Sequence, residues 1–277
     1  MNVEKCDTVV ADRHVDTVRH GPPAGFRARA ERPAAIRPPH MLVAVHILTG
    51  SLALLFAVVA LGARKGARTH VRAGFLFVIV MMIMGLSGAT LAIVRPAGVS
   101  LVAGLLAAYL VATALTRSWW AAEPAAWFTA AAPLTGVLVG ALGLWWGVEA
   151  SGNADGMKDG HPAGRYFVFG SIALLAGLGD VRWFFRFNHR AGGDRHTPTS
   201  VQRQLRHVWR LGVATMMAAI SFFLGQPQVF PKALQPMEIR ALPVLGLLAV
   251  FLYWLVRLGV RRIRGVTAAP AAKTGGG

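Results

Sequence analysis

The chain has 277 residues, of which 55% are hydrophobic and only 15% charged, yet its formal net charge is +17. An ordinary soluble domain carries about 25% charged residues, so this composition, with a mean hydropathy of +0.50, excludes a typical soluble enzyme. Nucleic-acid binding is also excluded as the source of the charge, because the basic residues sit at the ends of apolar runs instead of forming one stripe.

Residues 1–40 show no apolar periodicity, and Pro22-Pro23 and Pro38-Pro39 interrupt any helix. They read as a disordered tail without the apolar core of a secretory signal. Met41 stands directly before the first apolar run, and translation starting there is an expectation. The single Cys6 excludes an intrachain disulfide.

Seven apolar runs follow, at about 41–63, 73–94, 97–116, 125–148, 165–185, 205–225 and 241–260. Crossing the hydrocarbon core of a bilayer takes about 20 helical residues, so residues 41–260 read as an all-α, polytopic transmembrane bundle of about seven spans. Residues 261–277 read as a basic, flexible tail. Pro133 is expected to kink the fourth span, and Thr199-x-x-Gln202 has the form of a capping box opening the sixth. Basic residues gather in the turn Arg64–Arg72, in the loops after spans three and five (Arg117, Arg190 and Arg195 among them), and beyond span seven, where Lys273 is the last. By the positive-inside rule this predicts a cytoplasmic C-terminus and an external N-terminus in the bacterial inner membrane.

Stripes of small residues recur at steps of three and four: Gly136, Gly140, Gly143 and Gly147 in span four, and Gly170, Ala173, Gly177 and Asp180 in span five. Such stripes let helix backbones approach closely in lipid, and they carry polar residues inward: His46, His70, Asp180 and His207. His70, Asp180 and His207 fall near the cytoplasmic ends of their spans, beside Arg72 and Arg210. His46 falls near the outer end, within reach of Gln226 or His161. Intramembrane ionisable residues point to function, but helix ends also collect such residues at little cost, as positive-inside anchors or interfacial hydrogen-bonders. Asn153-Ala154-Asp155-Gly156 and Asp159-Gly160-His161 lack the liganding pattern of a calcium loop and read as a solvated turn. Trp119-Trp120, Trp145-Trp146 and Trp183-Phe184-Phe185 read as interfacial belts, and Met81, Met82 and Met84 as core. No phosphate loop or zinc motif occurs, and no catalytic set is identified.

Taken together, His46-x-x-x-Gly50, Lys65-Gly66-x-x-x-His70-x-Arg72-x-Gly74, Leu106-x-x-Tyr109-Leu-Val-Ala-Thr113, His207-x-Trp209-Arg210 and Ser221-Phe222-Phe223-Leu224-Gly225-Gln226 resemble a family of uncharacterised multi-pass bacterial membrane proteins. The likeness covers most of 41–260 and implies a helical bundle with no known activity. Three functional classes stay open. The first is electron transfer through haem b held by His70 and His207, the only metal centre expected. The second is a transporter or proton relay between His46 and the group His70, Asp180 and His207. The third is a non-catalytic protein whose basic loops meet anionic lipid, a partner or a second copy.

Overall fold

A computed structural model describes residues 40–114, 126–187 and 198–267. The tail read as disordered, Trp119-Trp120, Arg117, Arg190, Arg195 and Lys273 lie outside these residues. The seven expected runs form seven helices: α1 (His40–Gly62), α2 (Arg68–Val94), α3 (Gly98–Ala114), α4 (Ala126–Gly152), α5 (Ala163–Phe187), α6 (Ser200–Ala219) and α7 (Met237–Thr267). Six are long and apolar enough to cross a membrane, whereas α3 covers 17 residues. The protein is therefore an all-α integral membrane bundle. α7 continues to Thr267, past the boundary at 260 where the basic tail was expected to begin.

Local chemistry sets the helix ends. Lys65 folds back at the end of α1, its ammonium donating to the Ala60 and Leu61 carbonyls at 3.1 and 3.0 Å. Those carbonyls have no partner further along the helix. The turn then needs a left-handed residue, supplied by Gly66 at φ +83°. At the start of α6 the capping box forms: Gln202 N donates to Thr199 Oγ1 at 3.2 Å and Thr199 N donates to Gln202 Oε1 at 3.0 Å. α6 ends in one π-helical turn, Ile220–Leu224, which overlaps the Ser-Phe-Phe-Leu-Gly-Gln piece. The Arg240 guanidinium donates to the Phe223 and Leu224 carbonyls at 2.7 and 3.1 Å. α4 remains helical through Pro133.

α3 is the hub, touching α2, α4, α5 and α6, while α1 pairs with α2 and also meets α6. The glycine stripes are the close contacts. A Cβ on Gly136 would lie 2.7 Å from Gly177 Cα, and one on Gly143 would lie 2.8 Å from Gly170 Cα. At α2–α3, a Cβ on Gly104 would lie 2.6 Å from the Gly85 carbonyl oxygen. Large apolar side chains such as Leu55 and Val58 on α1 and Leu242 and Val256 on α7 stay exposed, as lipid-facing positions must.

A hairpin, Met157–Lys158 paired with His161–Pro162, joins α4 to α5. Asp159 within it accepts from Gly98 N at 3.0 Å, holding the start of α3. Lys158 pairs with Glu149 at 2.6 Å, and this contact raises the ammonium from its ordinary value. The acidic turn is thus a clamp between helices. Among the described residues no group of three or more His, Cys, Asp or Glu is placed to hold a metal ion.

Candidate functional site

The bundle has one end formed by the α1–α2 turn, the ends of α3 and α5, the start of α6 and the end of α7. Two polar features lie there, on different faces of α6.

The first is a buried ion cluster. Asp180 on α5 is 3% exposed and Arg210 on α6 is 2% exposed. Arg210 Nη2 donates to Asp180 Oδ1 at 2.5 Å, Arg206 Nη2 approaches the same oxygen at 2.8 Å, and the Tyr109 hydroxyl donates to Oδ2 at 2.5 Å. Arg210 Nη1 also donates to Thr113 Oγ1, and that hydroxyl donates to the Tyr109 carbonyl at 2.6 Å. The cluster ties α3, α5 and α6 through charge-assisted bonds. Trp183, read from sequence as part of an interfacial belt, stacks under Arg206, with the guanidinium carbon 4.8 Å from the ring centroid.

The second is an open cavity of about 1200 Å³ between the α1–α2 hairpin and α6–α7. α2, α6 and α7 present the same gradient along their length, while α1 adds only Ala57, Ala60 and Leu61. On α6, Arg203 and His207 come first, then Leu211, Gly212 and Thr215; on α7, Arg261 and Arg257 lie outermost, then Trp254, Phe251 and Leu247. On α2, His70 precedes Gly74 and Phe77, and Lys65 sits at the turn. No Asp or Glu lines the cavity among the described residues, and none of Lys65, Arg203, Arg257 or Arg261 makes an ion pair there. Lys65 stays exposed at the rim, and the protein surface around it lowers its ammonium from the ordinary value by desolvation.

The expected grouping of His70, Asp180 and His207 is divided between these two features. No hydrogen bond or ion pair joins Asp180 to either histidine among the described residues. The reason is helical phase. His207 follows Arg206 by one residue, about 100° around the helix, so Arg206 and Arg210 turn toward α3 and α5 while His207 turns to the cavity. His70 and His207 do share that cavity. His70 Nδ1 donates to the Ala60 carbonyl at 2.8 Å, which places its proton on Nδ1 and leaves Nε2 free. His207 Nδ1 is buried with no partner among the described residues. Arg72 is exposed on α2.

Comparison with protein-family models, curated proteins and solved structures finds no match.

The remaining expected residues lie at the other end of the bundle and do not meet. His46 Nδ1 donates to the Met84 carbonyl at 3.0 Å and lies 3.3 Å from Ser87 Oγ, against Gly88. Gln226 is exposed and accepts from Gln228, and His161 Nδ1 takes a hydrogen bond from Arg165 at 3.1 Å. His46 therefore serves the α1–α2 contact. From sequence, Tyr109 and Thr113 carry no role beyond the motif, and Arg206 counts only among the basic residues that bear on orientation. Tyr109 and Thr113 do stand at i and i+4 in the family-like motif, on one face of α3, and that spacing was the available signal.

Proposed function

We propose that this integral membrane protein binds an amphiphile with an anionic polar end, and that the cavity between α1–α2 and α6–α7 is its site. The carrying observation is that four basic side chains, with no acid among the described residues, gather at one end of a cavity whose other end is apolar. Cations near a low-dielectric wall are stabilised by an anion far more than they would be in water, and the apolar depth favours a ligand with an apolar body. Placement in the bacterial inner membrane with this basic end and the C-terminus toward the cytoplasm belongs to the same proposal, as does membership of the uncharacterised family that the motifs resemble.

The test is thermal stability in neutral detergent with added dodecyl phosphate or the uncharged dodecanol. Binding at one hundred times its dissociation constant stabilises the fold by about 2.7 kcal/mol. A raised midpoint with dodecyl phosphate alone supports the reading, and equal responses to both contradict it.

A second reading is electron transfer through haem b, favoured by His70 and His207 facing one cavity with the His70 Nε2 free. Haem would supply one-electron chemistry when bound. His70 and His207 would hold the iron, with Lys65 and Arg203 available to its carboxylates. A Soret band after expression with ample haem, lost in His70→Ala and in His207→Ala, supports this reading, and an absent band removes it. The transporter or proton-relay reading has no observation of its own: among the described residues no hydrogen-bonded chain links His46 to the basic end.

A further inference from the structure

The cavity has an axis as well as a charge. Along α6 its lining runs from Arg203 to Thr215, a rise of about 18 Å. Along α7 it runs from Leu247 to Arg261, a rise of about 21 Å. Half the thickness of a bilayer with its headgroups is about 20–22 Å, so the cavity matches one leaflet in length. Its long axis follows helices that cross the membrane, and its cationic end lies toward the start of α6 and the basic last turns of α7, which continues past Arg261 to Thr267. A molecule filling it would therefore stand like the lipids beside the bundle, head outward and chain inward. The size agrees: about 1200 Å³ exceeds the roughly 300–1,000 Å³ of sites for small soluble ligands.

The cationic end also has the donors that a phosphate needs. Lys65, Arg203 and Arg257 each give part of their hydrogen-bonding capacity to uncharged oxygens: the Ala60 and Leu61 carbonyls, the Pro198 carbonyl and the Tyr253 hydroxyl. These contacts fix the side chains and leave other N–H groups unassigned. Lys65 and Arg257 both lie over the Trp254 ring, at 5.6 and 5.2 Å from its centroid, which draws them to the same rim. Basic pockets between membrane helices of this kind suit anionic lipid heads.

We infer that the occupant is a phosphate-headed anionic lipid of the adjoining leaflet, its phosphate among Lys65, Arg203 and Arg257 and its chain along Phe251 and Leu211. This rests on the amphiphile-binding reading above and names its ligand class. The full-length chain is placed in nanodiscs of equal phosphatidylglycerol and phosphatidylcholine, and retained lipid is counted by native mass spectrometry. The expected result is selective retention of one phosphatidylglycerol. Arg203→Gln and, separately, Lys65→Gln each lower retention about fivefold, the equivalent of about 1 kcal/mol per basic residue. Arg262→Gln, exposed at the same end but outside the cavity lining, leaves retention unchanged, and thermal melts of each variant confirm folding. Equal retention of the two lipids overturns the inference, and so does an equal loss in Arg262→Gln, which marks surface lipid only. Displacement by inorganic phosphate alone also overturns it, because the site would then take a free anion. If dodecyl phosphate stabilises the protein while phosphatidylglycerol is not retained, this inference falls and the broader reading stands; if neither binds, both fall.

Discussion

At the scale of single residues, Asp180 decides more than any histidine. Its carboxylate receives Arg206, Arg210 and the Tyr109 hydroxyl, and removing its charge leaves two guanidiniums facing a neutral amide at a buried site. Breaking a buried pair from one side costs about 3–5 kcal/mol. Asp180→Asn is therefore expected to lower the thermal midpoint sharply in detergent. Tyr109→Phe removes one hydrogen bond to a charged group, worth about 1.5–3 kcal/mol, and should fall between Asp180→Asn and wild type. His46→Ala loses a single bond to the Met84 carbonyl and should be milder than Asp180→Asn. A series in which Asp180→Asn melts like wild type would show that the ion cluster is not formed. The stripe on α5 puts Asp180 on its small-residue face, with Arg210 expected only beside the group of Asp180, His70 and His207; Asp180 is joined to Arg210 and Arg206 and to neither histidine among the described residues. Depth along a helix can be estimated from the apolar run, whereas which of two adjacent residues faces which partner depends on the angular position of α3, and no spacing within α6 contains that.

At the scale of elements, the seven runs and their small-residue stripes were legible because the bilayer demands both: length to cross and small side chains to pack. Gly136, Gly143, Gly170 and Gly177 meet where their stripes predicted a close contact. Helix starts were less legible. α2 begins at Arg68 and α6 at Ser200, in polar stretches that the apolar runs do not include, although Thr199 and Gln202 did mark the second of these. The hub position of α3 was not visible, since its apolar run at 97–116 looks like the others and only the observed helix, at 17 residues, is short. Gly136 joins the two scales. A Cβ there would lie 2.6 Å from the Tyr109 hydroxyl as well as 2.7 Å from Gly177 Cα. Gly136→Ala should therefore destabilise the bundle by about 1–3 kcal/mol, the range for overpacking. Combined with Tyr109→Phe it should cost less than the sum of the two, because both disturb one contact. Double-mutant melts read this directly, and strict additivity would count against it.

At the scale of the whole molecule, basic residues are denser at one end among the described residues. The turn after α1, the start of α6 and the end of α7 supply Lys65, Arg203, Arg257 and Arg261 to one cavity, so the basic residues on which the proposed orientation rests also line the candidate site. Single cysteines introduced at Arg262 and at Gln226, in a Cys6→Ser background, should label from opposite sides of sealed inner-membrane vesicles, with position 262 on the cytoplasmic side. Labelling of position 262 from outside would reverse the orientation and assign the cavity to the other leaflet.

The cavity's occupant is the central claim, and the most direct measurement is an experimental structure of the full-length protein extracted with its native lipids and given no ligand. Elongated density is expected along α6 and α7, with its compact end among Lys65, Arg203 and Arg257 and its tail against Phe251 and Leu211. Planar density bridging His70 and His207, or a cavity closed by its own side chains, would contradict it.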